Sequence, residues 1–169
     1  MPKNIASTEL GDKSAEGIAR RHMLFGWWLL LLFLTVGASL EALHGFKVAW
    51  YLNVGQETRR LLWRLAHAHG TFLALVNIAF ALTAARWAAG NQRRRGIASA
   101  CLIGATIALP SGFFLGGLKV YGGDPGLGIW LTPLGVVLLF VAVLLTALEV
   151  TSGWLAQKEQ KGQRRKHGT

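Results

Sequence analysis

Leu65–Ala85 reads LAHAHGTFLALVNIAFALTAA, 21 residues without Asp, Glu, Lys or Arg, closed at its ends by Arg64 and Arg86. A helix rises about 1.5 Å per residue, so roughly 20 apolar residues cross a hydrocarbon core of about 30 Å. Three further uncharged blocks meet that length. Met23–Leu40 gives 18 residues, Gly96–Leu118 gives 23 between Arg95 and Lys119, and Pro125–Leu148 gives 24 between Asp124 and Glu149. None sustains period-two alternation, which argues against a barrel. Leucine-rich runs such as Leu29–Leu32 leave no polar face to meet water. The expected fold is all-α, a transmembrane four-helix bundle.

Composition agrees. Of 169 residues, 52% are hydrophobic and 15% charged, against roughly 25% charged in soluble domains. The single cysteine, Cys101, excludes an intramolecular disulfide and begins no CxxC metal site. Arg20 and Arg21 ahead of the first block suit a signal peptide, but 18 apolar residues are long for its hydrophobic region. The block is read as a retained span.

The 18 basic residues outnumber 8 acidic ones. With both termini inside, 13 Lys and Arg fall on the cytoplasmic side and 5 outside, the orientation that the positive-inside rule favours. Three parts are expected: a flexible cytoplasmic arm (1–20), the four-span membrane domain (21–155) and a basic cytoplasmic tail (156–169). Between the first two spans, 46–52 with Trp50 and Tyr51 suits an interfacial amphipathic segment. The location implied is a cell membrane, crossed several times, the bacterial inner membrane in particular. The net charge of +10 is assigned to topology and lipid contact, not to nucleic acid, since no reading motif accompanies it.

Packing faces follow from helical spacing. Gly104, Ala108, Gly112 and Gly116 recur every four residues, which allows close helix approach within the bundle, with a homodimer or with another membrane protein. Glu149 lies about one turn inside the fourth span, at the depth of Arg86, so an Arg86–Glu149 ion pair is expected.

One constellation suits chemistry; the alternative is structural, with Glu41 paired to Arg60 or Arg64 and the histidines hydrogen-bonded at the interface. Glu41 and His44 lie near the outer end of the first span, and His67 and His69 near the outer end of the second. Arg60, Arg64, Tyr121 and Asp124 are expected nearby, with Asn77 on the His67 side of its helix as a further supporting residue. Three imidazoles and a carboxylate suit a transition metal. Haem would use one or two of the histidines, with notches at Gly37 and Gly70 making room for a flat ring. On a regular helix His67 and His69 point about 160° apart, so one ion cannot take both from one helix.

The segments EALHGFK (41–47), WRLAHAHG (63–70) and GFFLGG (112–117) resemble those of small, uncharacterised bacterial four-helix membrane proteins. A faint similarity to histidine-bearing haem bundles of respiratory membranes accompanies it. The resemblance covers roughly 20–155 and implies a fold but no activity. The leading expectation is a redox or accessory subunit whose outward His/Glu cluster binds a metal or haem. The alternatives are a non-catalytic scaffold or assembly subunit offering the glycine stripe to a partner, and a small-solute or proton transporter acting as an oligomer.

Overall fold

The computed structural model describes residues 3–86 and 91–167; the outermost residues of the expected arm and tail, 1–2 and 168–169, lie outside this description. The chain is helical nearly throughout. In order come α1 (Lys3–Gly45), a short α2 (Ala49–Leu52), α3 (Glu57–Arg86), α4 (Gln92–Leu118) and α5 (Leu131–His167), with single 3-10 turns at Val54–Gln56 and Leu127–Trp130. Four of these helices are long and apolar enough to cross a membrane, over Ser14–Gly45, Val54–Arg86, Gln92–Leu118 and Leu127–Gln163.

The helix ends have local causes. Lys47 takes φ 51°, the left-handed conformation that commonly closes a helix, and the chain turns there into α2. Asn91 starts α4 by accepting hydrogen bonds from the backbone N–H of Arg93 and Arg94, at 3.1 and 3.2 Å. Arg93–Arg95 therefore belong to the first turn of α4. Three cations at a helix N-terminus oppose the macrodipole, so charge placement here follows something other than helix electrostatics. The segment expected at the interface becomes α2, with Tyr51 buried and Trp50 exposed.

Two expectations change. The helix that carries the first span does not begin near residue 21. Its backbone runs back to Lys3, and Ala15 is already buried, so packing begins inside the stretch read as an arm. The bundle is also not closed. α1 packs on α3, α3 on α4 and α4 on α5, while α1 touches α4 more lightly. Among the described residues neither α1 and α5 nor α3 and α5 share a comparable face. The four long helices form an open row, α1–α3–α4–α5, whose core holds Leu73, Phe80, Ala98, Leu102, Leu109 and Ala142.

The glycine stripe explains the close approach of α4 and α5. A Cβ at Gly112 would meet Thr132 at 2.6 Å, one at Gly116 would meet Ile129 at 3.3 Å, and one at Gly104 would meet Leu138 at 3.0 Å. Gly135 answers from α5, where a Cβ would lie 2.7 Å from Leu109. The stripe is thus covered by the chain's own α5 and the turn before it.

Candidate functional site

Two polar clusters interrupt the apolar row. One lies at the end where α1 stops and α3 starts, here called the upper end. The other lies toward the lower end, where α3 stops and α4 starts.

At the upper end α1, α2 and α3 line an open-sided cavity of about 580 Å³. Glu41 and His44 face it from α1, Tyr51 from α2, and Arg64 and His67 from α3, with Leu40, Leu61 and Leu65 supplying apolar wall. Spacing accounts for this convergence. Glu41 and His44 are three apart, as are Arg64 and His67, so each pair shares one helix face.

His67 is fixed by an interlock. Its Nδ1 lies 2.8 Å from the backbone carbonyl of Phe33. A carbonyl only accepts, so Nδ1 carries a proton, and in the neutral ring Nε2 is left as an acceptor. The ring reaches that carbonyl across Gly37, one turn further along α1, where an added Cβ would collide with the imidazole. In return the Phe33 ring fills the space above Gly70, where a Cβ would collide with the phenyl edge. The two notches expected to admit a flat cofactor therefore hold the protein's own rings.

The other expected members separate. His69 turns to the α4 side: its Nδ1 bonds the Leu65 carbonyl at 2.8 Å, and its ring lies against Phe113 with centroids 4.9 Å apart. Arg60 donates to the carbonyls of Tyr51 and Asn53 at 3.0 and 2.9 Å, tying α2 to α3 instead of meeting Glu41. Tyr121 and Asp124 pair their own backbones in a tight turn, with Tyr121 93% exposed. They stand apart from the cavity because the loop folds back on itself. Asn77 lies ten residues beyond His67, about 15 Å along the helix, and serves the second cluster. Among the described residues no three His, Cys, Asp or Glu side chains come together as a metal-binding set.

The lower cluster centres on His22, which sequence reasoning missed. Its Nδ1 lies 2.6 Å from Asn77 Oδ1 and its Nε2 lies 2.8 Å from Ser99 Oγ. Asn77 Nδ2 donates to the Leu73 carbonyl and to Thr106 Oγ1, at 2.8 and 2.9 Å. That leaves Oδ1 as the acceptor, so His22 Nδ1 carries a proton. Thr106 passes its own proton to the Leu102 carbonyl at 2.7 Å. Arg21 Nη2 donates to Ser99 Oγ at 2.7 Å, and Ser99 in turn donates to His22 Nε2. A neutral imidazole thus satisfies every partner. Phe80 closes the pocket edge-on, with its centroid 4.6 Å from that of His22. The available signal was Asn77, a buried amide on a face of small residues, which requires a polar partner from a neighbouring helix.

Below this cluster Arg95 and Glu149 form a buried ion pair. Arg95 Nε donates to Glu149 Oε1 at 3.0 Å, and Nη2 reaches the same oxygen. The carboxylate was expected to meet Arg86. It meets Arg95 because α4, and not α3, lies along α5.

At the upper end Arg59 donates to the last carbonyls of α4, Gly117 and Leu118, at 2.9 and 3.3 Å, and lies over the rings of Trp50 and Trp63. A cation at a helix C-terminus satisfies orphan carbonyls and opposes their partial negative charge.

Compared with known proteins, the chain matches no protein-family model, no curated protein and no solved structure, so the resemblance to small bacterial membrane proteins and haem bundles rests on its quoted segments alone.

Proposed function

We propose that the chain is a multi-pass membrane protein with both termini cytoplasmic, and that its upper cavity is an extracytoplasmic binding site for a small organic ligand. The split of 13 basic residues against 5 supports the orientation. The uses found for Arg59 and Arg60, two of the five basic residues on the outer side, support it too. Arg59 and Arg60 place their donors on carbonyls, structural work that accounts for their presence on that side.

The observation that carries the binding reading is the cavity lining. Glu41, Arg64, His44 and the open Nε2 of His67 share one space, and no ion pair joins Glu41 to Arg64 among the described residues. Ionisable groups at the margin of hydrocarbon are costly and mark functional sites. A few convergent polar groups over the apolar side chains of Leu40, Leu61 and Leu65 suit an organic molecule with a polar head.

The test uses full-length protein in mild detergent, with native mass spectrometry and identification of released small molecules. Ala68 is exposed and lines the cavity, so Ala68→Trp fills it without disturbing the core. The wild type is expected to carry an adduct that this variant loses. A wild type without an adduct, or one retained equally by Ala68→Trp, overturns the reading.

A second reading, a redox or accessory subunit binding a metal or haem, draws on one observation. His67 bonds a backbone carbonyl through Nδ1 and keeps Nε2 open, as metal-ligating histidines do. Against it stand the filled notches and the dispersal of His69. Metal analysis and a visible spectrum on wild type and His67→Ala decide. Stoichiometric metal or a Soret band, lost in the variant, would replace the first reading.

A further inference from the structure

We infer that the upper cavity receives the head group of a phospholipid that carries both a phosphate and a primary ammonium. The inference rests on the binding reading above and names the class of its ligand.

Charge comes first. Glu41 on α1 and Arg64 on α3 line the same space, and no ion pair within 4.0 Å links them among the described residues. Opposite charges held apart across one cavity are complementary to a ligand that carries both signs. The guanidinium offers forked donors matched to phosphate oxygens. The carboxylate accepts from an ammonium, and it gains most from one that still has N–H bonds to give.

Hydrogen bonding sharpens the class. His67 has its proton committed to the Phe33 carbonyl, so Nε2 presents a lone pair. That lone pair and the Glu41 carboxylate both seek a donor. A primary ammonium supplies three N–H groups, whereas a quaternary one supplies none. The lining therefore favours a primary ammonium over a choline-type head, which has no N–H to give these acceptors.

Position supplies the lipid part. The cavity lies at the same end of the bundle as Trp50 and Trp63, ring types that gather at the membrane interface. Leu40 and Gly37 continue its α1 wall toward the apolar centre, and exposed Leu34 and Leu31 follow along the same helix. A head group seated between Glu41 and Arg64 has an apolar path beneath it for acyl chains. Free phosphoethanolamine carries the same head chemistry without those chains, which makes it the control for the source.

The experiment titrates full-length protein in detergent, by native mass spectrometry, with phosphatidylethanolamine, phosphatidylcholine and phosphatidylglycerol of identical acyl composition, and with phosphoethanolamine alone. Phosphatidylethanolamine is expected to bind about tenfold tighter than either other lipid, and the free head group more weakly still. Glu41→Gln should erase the preference over phosphatidylcholine. Arg64→Gln should weaken both lipids alike, and Arg64→Lys should restore part of the loss. Melting temperatures of these variants should stay at the wild-type value, since both side chains are exposed. Should a variant not fold, the wild-type ranking of the three lipids still decides.

Equal binding of the three lipids overturns the inference, and so does phosphoethanolamine binding as tightly as the lipid. If a different adduct is found that Ala68→Trp removes, the head-group class fails while the cavity remains a binding site. If nothing bound responds to Ala68→Trp, both readings fall together.

Discussion

His22 and His67 are both held between α1 and α3, at opposite ends of the helix pair, and the protein treats them differently. His22 is fully buried with both nitrogens bonded, to Asn77 and Ser99. His67 is half-buried with one nitrogen bonded, to Phe33. The same side chain is therefore a cross-brace in one place and an available acceptor in the other. What separates the two roles is not residue type or intramembrane position but saturation: a group whose hydrogen bonds are all made has nothing left to offer a ligand.

Perturbations at the lower end should cost stability, and those at the upper end should cost binding. The largest effect is expected at the ion pair. Glu149→Ala leaves Arg95, 1% exposed, as a buried cation, and should lower stability by about 3–5 kcal/mol. Thermal denaturation in detergent measures it, and the double variant Arg95→Met, Glu149→Leu should recover most of the loss. An unchanged melting temperature for Glu149→Ala would show that the lower end is not a brace.

His22→Ala comes next, at about 3 kcal/mol, because it strips partners from Asn77 and Ser99 together and opens a cavity beside Phe80. It should leave lipid retention unchanged once the protein is folded. If retention falls while the melting temperature holds, the division of labour between the two histidines is wrong.

Gly37→Ala tests the interlock itself. The new methyl group collides with the His67 ring and should destabilise by about 1–3 kcal/mol. In a His67→Ala background that penalty should largely disappear, giving a coupling energy in a double-mutant cycle. Additive effects would mean that ring and notch do not depend on each other.

The smallest expected effect is a gain. Thr71 has its hydroxyl buried without a protein partner among the described residues. Thr71→Val should raise stability by about 0.5–1 kcal/mol. A loss would reveal a hydrogen-bonding role for that hydroxyl, one turn below His67.

The four long helices were legible because a span is a local property of sequence: length and absence of charge over Leu65–Ala85 suffice. Their arrangement was not. Nothing in Glu149 says whether α3 or α4 will lie beside α5; matching depth suggested Arg86, and the open row brings Arg95 there instead. The cavity was half legible. Glu41, His44 and His67 share it as their depth required, while His69 left because two positions on a helix point nearly opposite ways. His22 escaped notice for a different reason. It sits beside Arg20 and Arg21, where a histidine reads as part of a basic approach to the membrane, and only the face presented by Asn77 and Ser99 identifies it as core.

Arg59 gives the cavity an asymmetry of its own. Through that guanidinium α3 is fastened to the end of α4, and through Arg60 it is fastened to α2, so the α3 side behaves as a fixed jaw. The facing jaw is the last two turns of α1. It is gripped lower down, where the His67 ring and Phe33 interlock, and beyond Gly45 the chain turns at once into α2. The cavity is therefore flanked by fastenings on both sides, the ring-in-notch contact on α1 and the two arginine clasps on α3.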